Sequence, residues 1–173
     1  MLNSSQHRAI TADCRDNVDI RVVDVYRGNA EPGGSTLVCY DLETGAPLWK
    51  SENNVRFEES MGGPGPRATP TVFEGRVFVH GATGILKCLS LETGEEIWQK
   101  NTLAESQSEN VMYGKSAAPL ISGENVVVSG GKAGPTLTAL RRSDGEVVWK
   151  SGSRKTSYAS PVFLTLGDTR QIV

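Results

Sequence analysis

His7 and His80 are the only imidazoles in the 173-residue chain, and neither has a second candidate ligand at metal-binding spacing. His80 closes a strand-like run and is followed by Gly81. That setting suits a half-buried strand residue better than a general base. Cys14, Cys39 and Cys88 make an odd count with no CxxC spacing, which argues against a metal knuckle and against a disulfide framework. Arg56, Glu58 and Glu59 share one polar stretch. Paired carboxylates do acid–base chemistry, yet neighbouring residues on an extended chain point to opposite sides, so these read as solvated loop charges. Gly130-Gly131-Lys132-Ala133-Gly134 has the look of a phosphate loop but lacks the Gly-Lys-Ser/Thr that would open a helix, and it reads as a hairpin loop. No Ser/His/Asp order is present. The expected catalytic and metal-ligand sets are therefore both empty.

The elements that would position any chemistry are organised by a repeat. Cys88-Leu89-Ser90-Leu91-Glu92-Thr93-Gly94-Glu95-Glu96-Ile97-Trp98 has a counterpart from Cys39 to Trp49 and another from Ala139 to Trp149. The three tryptophans are spaced 49 and 51 residues apart, a period that marks a repeat architecture. Each copy holds a short apolar strand, a turn and a second short strand. Gly45, Gly94 and Gly145 supply the positive φ that a tight hairpin needs. The position ten before each Trp is small (Cys39, Cys88, Ala139), which leaves room for a neighbouring indole to pack flat. Cys39 and Cys88 hold equivalent places and read as small buried residues, not as a bridge. The chain predicts strands over 18–26, 35–41, 46–50, 68–73, 76–80, 85–90, 95–99, 117–121, 126–129, 136–141, 146–150 and 162–166. No helical period appears, so the expected class is all-β.

These copies resemble the tryptophan-docking motif, Ala-x-Asp-x-x-Thr-Gly-x-x-x-Trp, of the pyrroloquinoline-quinone-like β-propeller repeat family. The first copy matches at Asp41, Thr44, Gly45 and Trp49, the second at Thr93, Gly94 and Trp98, and the third at Ala139, Gly145 and Trp149. Cys39, Ser90, Arg141 and Asp144 are departures. The resemblance implies a partial β-propeller of four-stranded antiparallel blades. Its docking residues would be Trp49, Trp98 and Trp149 with Gly45, Gly94 and Gly145. Residues 1–173 would form one partial propeller: an incomplete blade over about 1–52, blades at 68–100 and 117–151, and the start of another at 159–173. Between the first two blades lies a long Gly/Pro-rich connection with Gly62-Gly63-Pro64-Gly65-Pro66, a candidate binding element.

In such propellers the first strand of each blade lines a central channel. Aligned on Pro70, Pro119 and Pro161, the residues ahead of that strand are Arg67, Lys115 with Ser116, and Ser157 with Tyr158. At a channel mouth, Arg67, Lys115, Ser116 and Tyr158 would form a ring able to bind an anionic or carbonyl-rich ligand. The family resemblance implies a non-catalytic scaffold or binding module that holds protein or peptide partners on its blade loops, similar to the periplasmic β-barrel assembly lipoprotein B type. No cofactor is expected in that case. The alternative is part of a quinoprotein dehydrogenase that oxidises an alcohol or sugar with pyrroloquinoline quinone and calcium. Alcohol-oxidising members carry adjacent cysteines and a calcium site, and neither aligns here.

A net charge of −2 with 22% charged residues gives no electrostatic footprint for nucleic acid. No apolar run approaches the roughly 18 residues of a membrane helix. The N-terminal residues have no apolar signal-peptide core, so a periplasmic or extracytoplasmic place is implied by family resemblance alone. A propeller closes with about four to eight blades. The chain holds about three to three and a half at about 50 residues each, and a fragment of a longer protein is expected. Open apolar blade faces would then make it self-associate. Light scattering behind gel filtration is expected to give masses above the monomer, and a monodisperse, sharply melting monomer overturns that expectation.

Overall fold

Period-two alternation sets the strands, and the glycine turns set which strands are neighbours. The computed structural model describes residues 8–9, 21–27, 35–53, 55, 57–61 and 67–173. The expectations for His7, Cys14, Arg56, the start of the first strand and the Gly62–Pro66 run lie outside these residues. Strands β1 (Arg8–Ala9), β2 (Arg21–Arg27), β3 (Ser35–Asp41) and β4 (Pro47–Asn53) form one sheet in chain order. Strands β5 (Thr71–Phe73), β6 (Arg76–His80), β7 (Ile85–Ser90) and β8 (Glu96–Asn101) form the second. The third contains β9 (Leu120–Ser122), β10 (Asn125–Ser129), β11 (Leu137–Arg141) and β12 (Val147–Ser151). A hairpin of β13 (Phe163–Leu166) and β14 (Thr169–Ile172) follows. All pairings are antiparallel meanders, the only order that short turns permit.

The all-β expectation holds, with local differences. The innermost strands begin later than predicted, at Thr71 and Leu120 rather than Ala68 and Ala117. Pro70 and Pro119 have no N–H to give a ladder, so pairing starts after them. A single helical turn, α1 (Thr102–Glu105), follows β8, where no helix was expected. Asn101 caps it, its Oδ1 accepting from the N–H groups of Leu103 and Ala104, so a cap rather than an amphipathic period holds it.

The three motif hairpins are built alike although their residues differ. Gly45, Gly94 and Gly145 have φ of 69°, 73° and 73°. Their N–H groups donate to the carbonyls of Asp41, Ser90 and Arg141 at 2.9, 2.9 and 2.8 Å. Asp41 Oδ1 accepts from the Thr44 N–H and hydroxyl. Ser90 Oγ does the first of these tasks for Thr93, so the departure from Asp keeps the acceptor. In the third copy Arg141 instead pairs with Asp144, whose other oxygen accepts from the Glu146 N–H. Each hairpin also carries a register shift at the same place, after Cys39, Cys88 and Ala139.

Each motif Trp that can be followed into the next sheet docks there in the same way. Trp49 Nε1–H donates to the Leu91 carbonyl at 2.8 Å, and Trp98 Nε1–H to the Arg142 carbonyl at 2.9 Å. The Trp49 ring lies on Gly94 so closely that an added Cβ would sit 2.6 Å from it. Gly145 stands 2.7 Å from the Trp98 ring by the same measure. The small residues Cys39, Cys88 and Ala139 have a different neighbour from the one expected. Each lies across the ladder from the Trp of its own sheet.

The cores lie between sheets. Leu37, Cys39, Val77 and Leu89 fill the first, flanked by Trp49 and Val79. Phe78, Leu86, Cys88, Trp98, Val126, Val128 and Leu140 fill the second. Neighbouring positions on β6 and β7 thus serve opposite faces, as the pleat requires. Cys39 and Cys88 are buried thiols, and burial pushes the Cys88 thiol up to about 11, against the pull of nearby Arg76.

Gly45 tests the docking because its added Cβ would meet nothing within 4 Å, while its φ is positive like that of Gly145. Gly45→Ala is expected to cost about 1–2 kcal/mol through backbone strain alone. Gly145→Ala adds overpacking against Trp98, about 1–3 kcal/mol more. Urea midpoints decide, and equal shifts overturn the docking account. Trp98 is 8% exposed and Trp149 half-buried, so Trp98→Ala is expected to lower the midpoint further than Trp149→Ala.

Candidate functional site

The connections between successive sheets carry the polar and aromatic residues that the strands cannot use, and the structure stitches them to one another. The tight turn from Val111 to Gly114 closes with the Gly114 N–H donating to the Val111 carbonyl at 3.0 Å. Val111 is buried, so the turn presents Met112 and Tyr113 outward. Gly114, at φ 72°, lets the turn lie against Phe57, where an added Cβ would stand 2.9 Å from the ring. Arg67 also lies over Phe57, its guanidinium 5.6 Å from the ring centre. Glu59 fixes that connection by accepting from Arg67 Nη2 at 3.0 Å and from the Met61 N–H at 2.7 Å.

Tyr113 joins all three connections. Its hydroxyl donates to Met61 Sδ at 3.4 Å. Its ring lies 5.5 Å from that of Tyr158, whose hydroxyl accepts from the Tyr113 N–H. Ser116 Oγ–H donates to the Tyr158 carbonyl at 3.1 Å, and the Ala118 N–H to Ser160 Oγ at 2.9 Å. The result is a ridge of Phe57, Met61, Tyr113 and Tyr158, with Met112 exposed beside Tyr113 on the same turn. Met61 is 79% exposed, Met112 72% and Tyr158 38%.

A buried polar layer anchors the middle connection to the β6–β7 turn. The Ala82 carbonyl accepts from the Lys115 N–H and from Asn110 Nδ2. The Gly84 carbonyl accepts from both the N–H and the hydroxyl of Thr102. Because the one Thr102 hydroxyl proton goes to Gly84, His80 Nε2 must be the donor in its 3.0 Å contact with Thr102 Oγ1. That fixes the tautomer and leaves His80 Nδ1 as a buried lone pair without a hydrogen-bond partner. Burial, with the charge of Lys115 as a second cause, holds the His80 pKa down to about 3. Lys115, 1% exposed, donates from Nζ to the Ser129 carbonyl at 3.1 Å, and burial lowers its pKa to about 8.

The four expected ligand residues are brought near one another but not as a ring of outward charges. Ser116 and Tyr158 meet. Lys115 is buried, its N–H held by the Ala82 carbonyl and its ammonium turned into the protein onto the Ser129 carbonyl. Arg67 is half-buried on Phe57 and Glu59. Arg67 is engaged by Glu59, and Lys115 by the Ser129 carbonyl. Other expectations also change. Glu58 is exposed as predicted for a loop charge, but Glu59 is an anchor rather than a solvated carboxylate. His80 is fully buried, not half-buried. Residues 130–134 do form a connection between β10 and β11, stitched through Lys132 and Gly131 to Glu109 and Thr156. Phe57, Met61, Met112 and Tyr113 were missed. Their signal was available: apolar and aromatic residues inside connections, where no strand face explains them. Among the described residues no group of three or more His, Cys, Asp or Glu is placed to hold a metal, and no helix is long and apolar enough to cross a membrane.

A family model described as outer membrane protein assembly factor BamB matches residues 24–170. The chain is similar to outer membrane protein assembly factor BamB of Xanthomonas campestris pv. campestris, with 28% identity over 136 residues, covering 74% of this chain and 33% of that protein. It thus spans about a third of that relative's length. Among solved structures it resembles BamB from Moraxella catarrhalis, with a TM-score of 0.58 and 22% identity over 89% of this chain and 38% of the other. It also resembles the quinohemoprotein alcohol dehydrogenase from Comamonas testosteroni, with a TM-score of 0.54 and 19% identity over 74% and 19% of the two chains. The two structural likenesses speak for the β-propeller fold alone.

His80 and Lys115 both bind fewer protons folded than unfolded, so stability rises with pH wherever either titrates between its two states. For His80 this means stability is lost as pH falls from 6.5 toward about 3. For Lys115 it means stability is gained between about 8 and 10.5. Lys115→Met is expected to flatten the alkaline gain while leaving the acid loss. Urea midpoints at pH 5, 7 and 10 check this, and an unchanged alkaline slope contradicts it.

Proposed function

Since the chain belongs to the family of the outer membrane protein assembly factor BamB, we propose that it is a propeller scaffold whose ridge of inter-sheet connections docks a protein partner on the extracytoplasmic side of a membrane. The observation that carries this reading is the ridge itself. Met61, Met112 and Tyr158 stand exposed on connections that are otherwise held by hydrogen bonds and buried anchors. Docking surfaces of this kind combine adaptable thioethers and aromatic rings with a rigid base. A rigid base also lowers the ordering cost on binding.

The second reading, carried by the quinoprotein-type docking repeat, is a piece of a quinone-dependent enzyme. Titration of the protein with pyrroloquinoline quinone and calcium, followed by dye-linked alcohol oxidation, separates the two. Saturable binding with turnover would replace the scaffold reading.

The scaffold reading is tested by photo-crosslinking in the cell that makes the protein. A benzophenone side chain at Tyr158 or Met112 is expected to capture one discrete protein of the outer membrane assembly apparatus, identified by mass spectrometry. The same probe at Ile97, exposed and apolar on β8, is expected to capture nothing. Equal capture from all three positions, or none from the ridge, overturns it. Met112→Ala with Tyr158→Ala is expected to weaken capture from a probe at Met61 by about tenfold or more, as for a pair of interface anchors, with little change in the urea midpoint.

A further inference from the structure

Met61 and Met112 are the two most exposed large apolar side chains among the described residues, and both belong to the ridge. They differ in one respect. Met61 Sδ accepts a hydrogen bond from the Tyr113 hydroxyl at 3.4 Å, whereas Met112 stands on the tip of its turn. A thioether reacts with oxidants through a sulfur lone pair, so exposure sets access and a donor at sulfur sets nucleophilicity.

We propose that Met61 and Met112 are oxidative modification sites at which a hydroperoxide turns the docking ridge from apolar to polar, with Tyr113 as the positioning residue that makes Met61 the slower of the two. In each step a sulfur lone pair attacks the hydroxyl oxygen of the hydroperoxide. The S–O bond forms as the O–O bond breaks, and the departing hydroxide, or alkoxide of an organic hydroperoxide, takes up the proton shed by the attacked oxygen and leaves as water or alcohol. Sulfur loses two electrons and the peroxide gains them. The product sulfoxide is a strong acceptor on a side chain that was an apolar anchor, and enzymatic reduction of the sulfoxide restores the thioether. At Met61 the Tyr113 hydroxyl stands ready to donate to the new oxygen, which tightens the link between the first and second connections. At Met112 the new dipole faces solvent, where it opposes burial against a partner. The effect on docking rests on the scaffold reading above, but the oxidation chemistry does not.

The test uses the intact chain and hydrogen peroxide as the probe. Trypsin places the two residues on separate peptides, Phe57–Arg67 and Asn101–Lys115, so mass spectrometry follows each rate by itself. Both are expected to gain one oxygen, Met112 first. Tyr113→Phe keeps the ring against Tyr158 but removes the donor. A neutral hydrogen bond is worth little net, so it is expected to speed Met61 oxidation by about two- to threefold and to leave Met112 unchanged. An unaltered Met61 rate in that variant, or either methionine staying reduced while free methionine in the same tube is consumed, overturns the assignment. Capture by a benzophenone at Tyr158 is then compared before and after peroxide. Loss on oxidation and return after treatment with methionine sulfoxide reductases supports the switch, and unchanged capture overturns it. No capture from untreated protein sinks the docking reading and the switch together, while the peptide rates still decide the chemistry.

Discussion

One contact sets the geometry of the whole chain: an indole lying flat on a glycine of the next sheet, with its N–H on a carbonyl three residues before that glycine. Trp49 on Gly94 and Leu91, and Trp98 on Gly145 and Arg142, are the same contact made twice. It has two requirements that hold each other in place. The glycine must lack a Cβ because the ring occupies that space, and it must take a positive φ because the hairpin turns there. A large apolar ring buried with its one polar atom satisfied is also the most favourable use of a tryptophan. The contact fixes how far apart neighbouring sheets stand, and hence which residues of β6 and β7 fill the first core and which the second.

A clamp reinforces the second interface. The Arg142 carbonyl receives both the Trp98 indole and Arg76 Nη1. The Arg142 side chain lies over Phe73 at 4.7 Å and pairs with Glu74 and Glu124 at 2.9 and 3.2 Å. Both carboxylates are exposed, so the pairs themselves contribute little. The guanidinium stacked on the ring is the better shielded part of the arrangement.

Once the sheets are placed, the connections have little freedom. Gly114 brings the Val111–Gly114 turn against Phe57, Glu59 ties Arg67 to Met61, and the tilted rings of Tyr113 and Tyr158 meet across two connections. Beneath them His80, Thr102 and Gly84 form a directed hydrogen-bond chain whose tautomer is dictated by a single hydroxyl proton. Lys115 keeps an ammonium under the same surface, at a desolvation cost visible in its lowered pKa. A docking ridge standing on such a base resembles a binding surface shaped before its partner arrives.

The sequence by itself determined the strands, the hairpins and the all-β repeat, because those depend on neighbours within about ten residues. β6 and β7 fall where alternation puts them, Arg76–His80 and Ile85–Ser90, and the glycine turns fall where Asp-Gly and Thr-Gly stand. It also marked Trp49 and Trp98, which dock on the next sheet, since a repeat exposes its own period. The candidate site was half legible: Ser116 and Tyr158 were placed at the strand entrances and do meet there. Only the tertiary structure decided that Lys115 is buried, that Glu59 is an anchor, and that Met61, Met112 and Tyr113 form a surface. Those outcomes depend on pairs such as Tyr113 with Met61, 52 positions apart, and Ser116 with Tyr158, 42 apart. No local pattern encodes such pairs, because they exist only after the indoles have set the spacing between sheets.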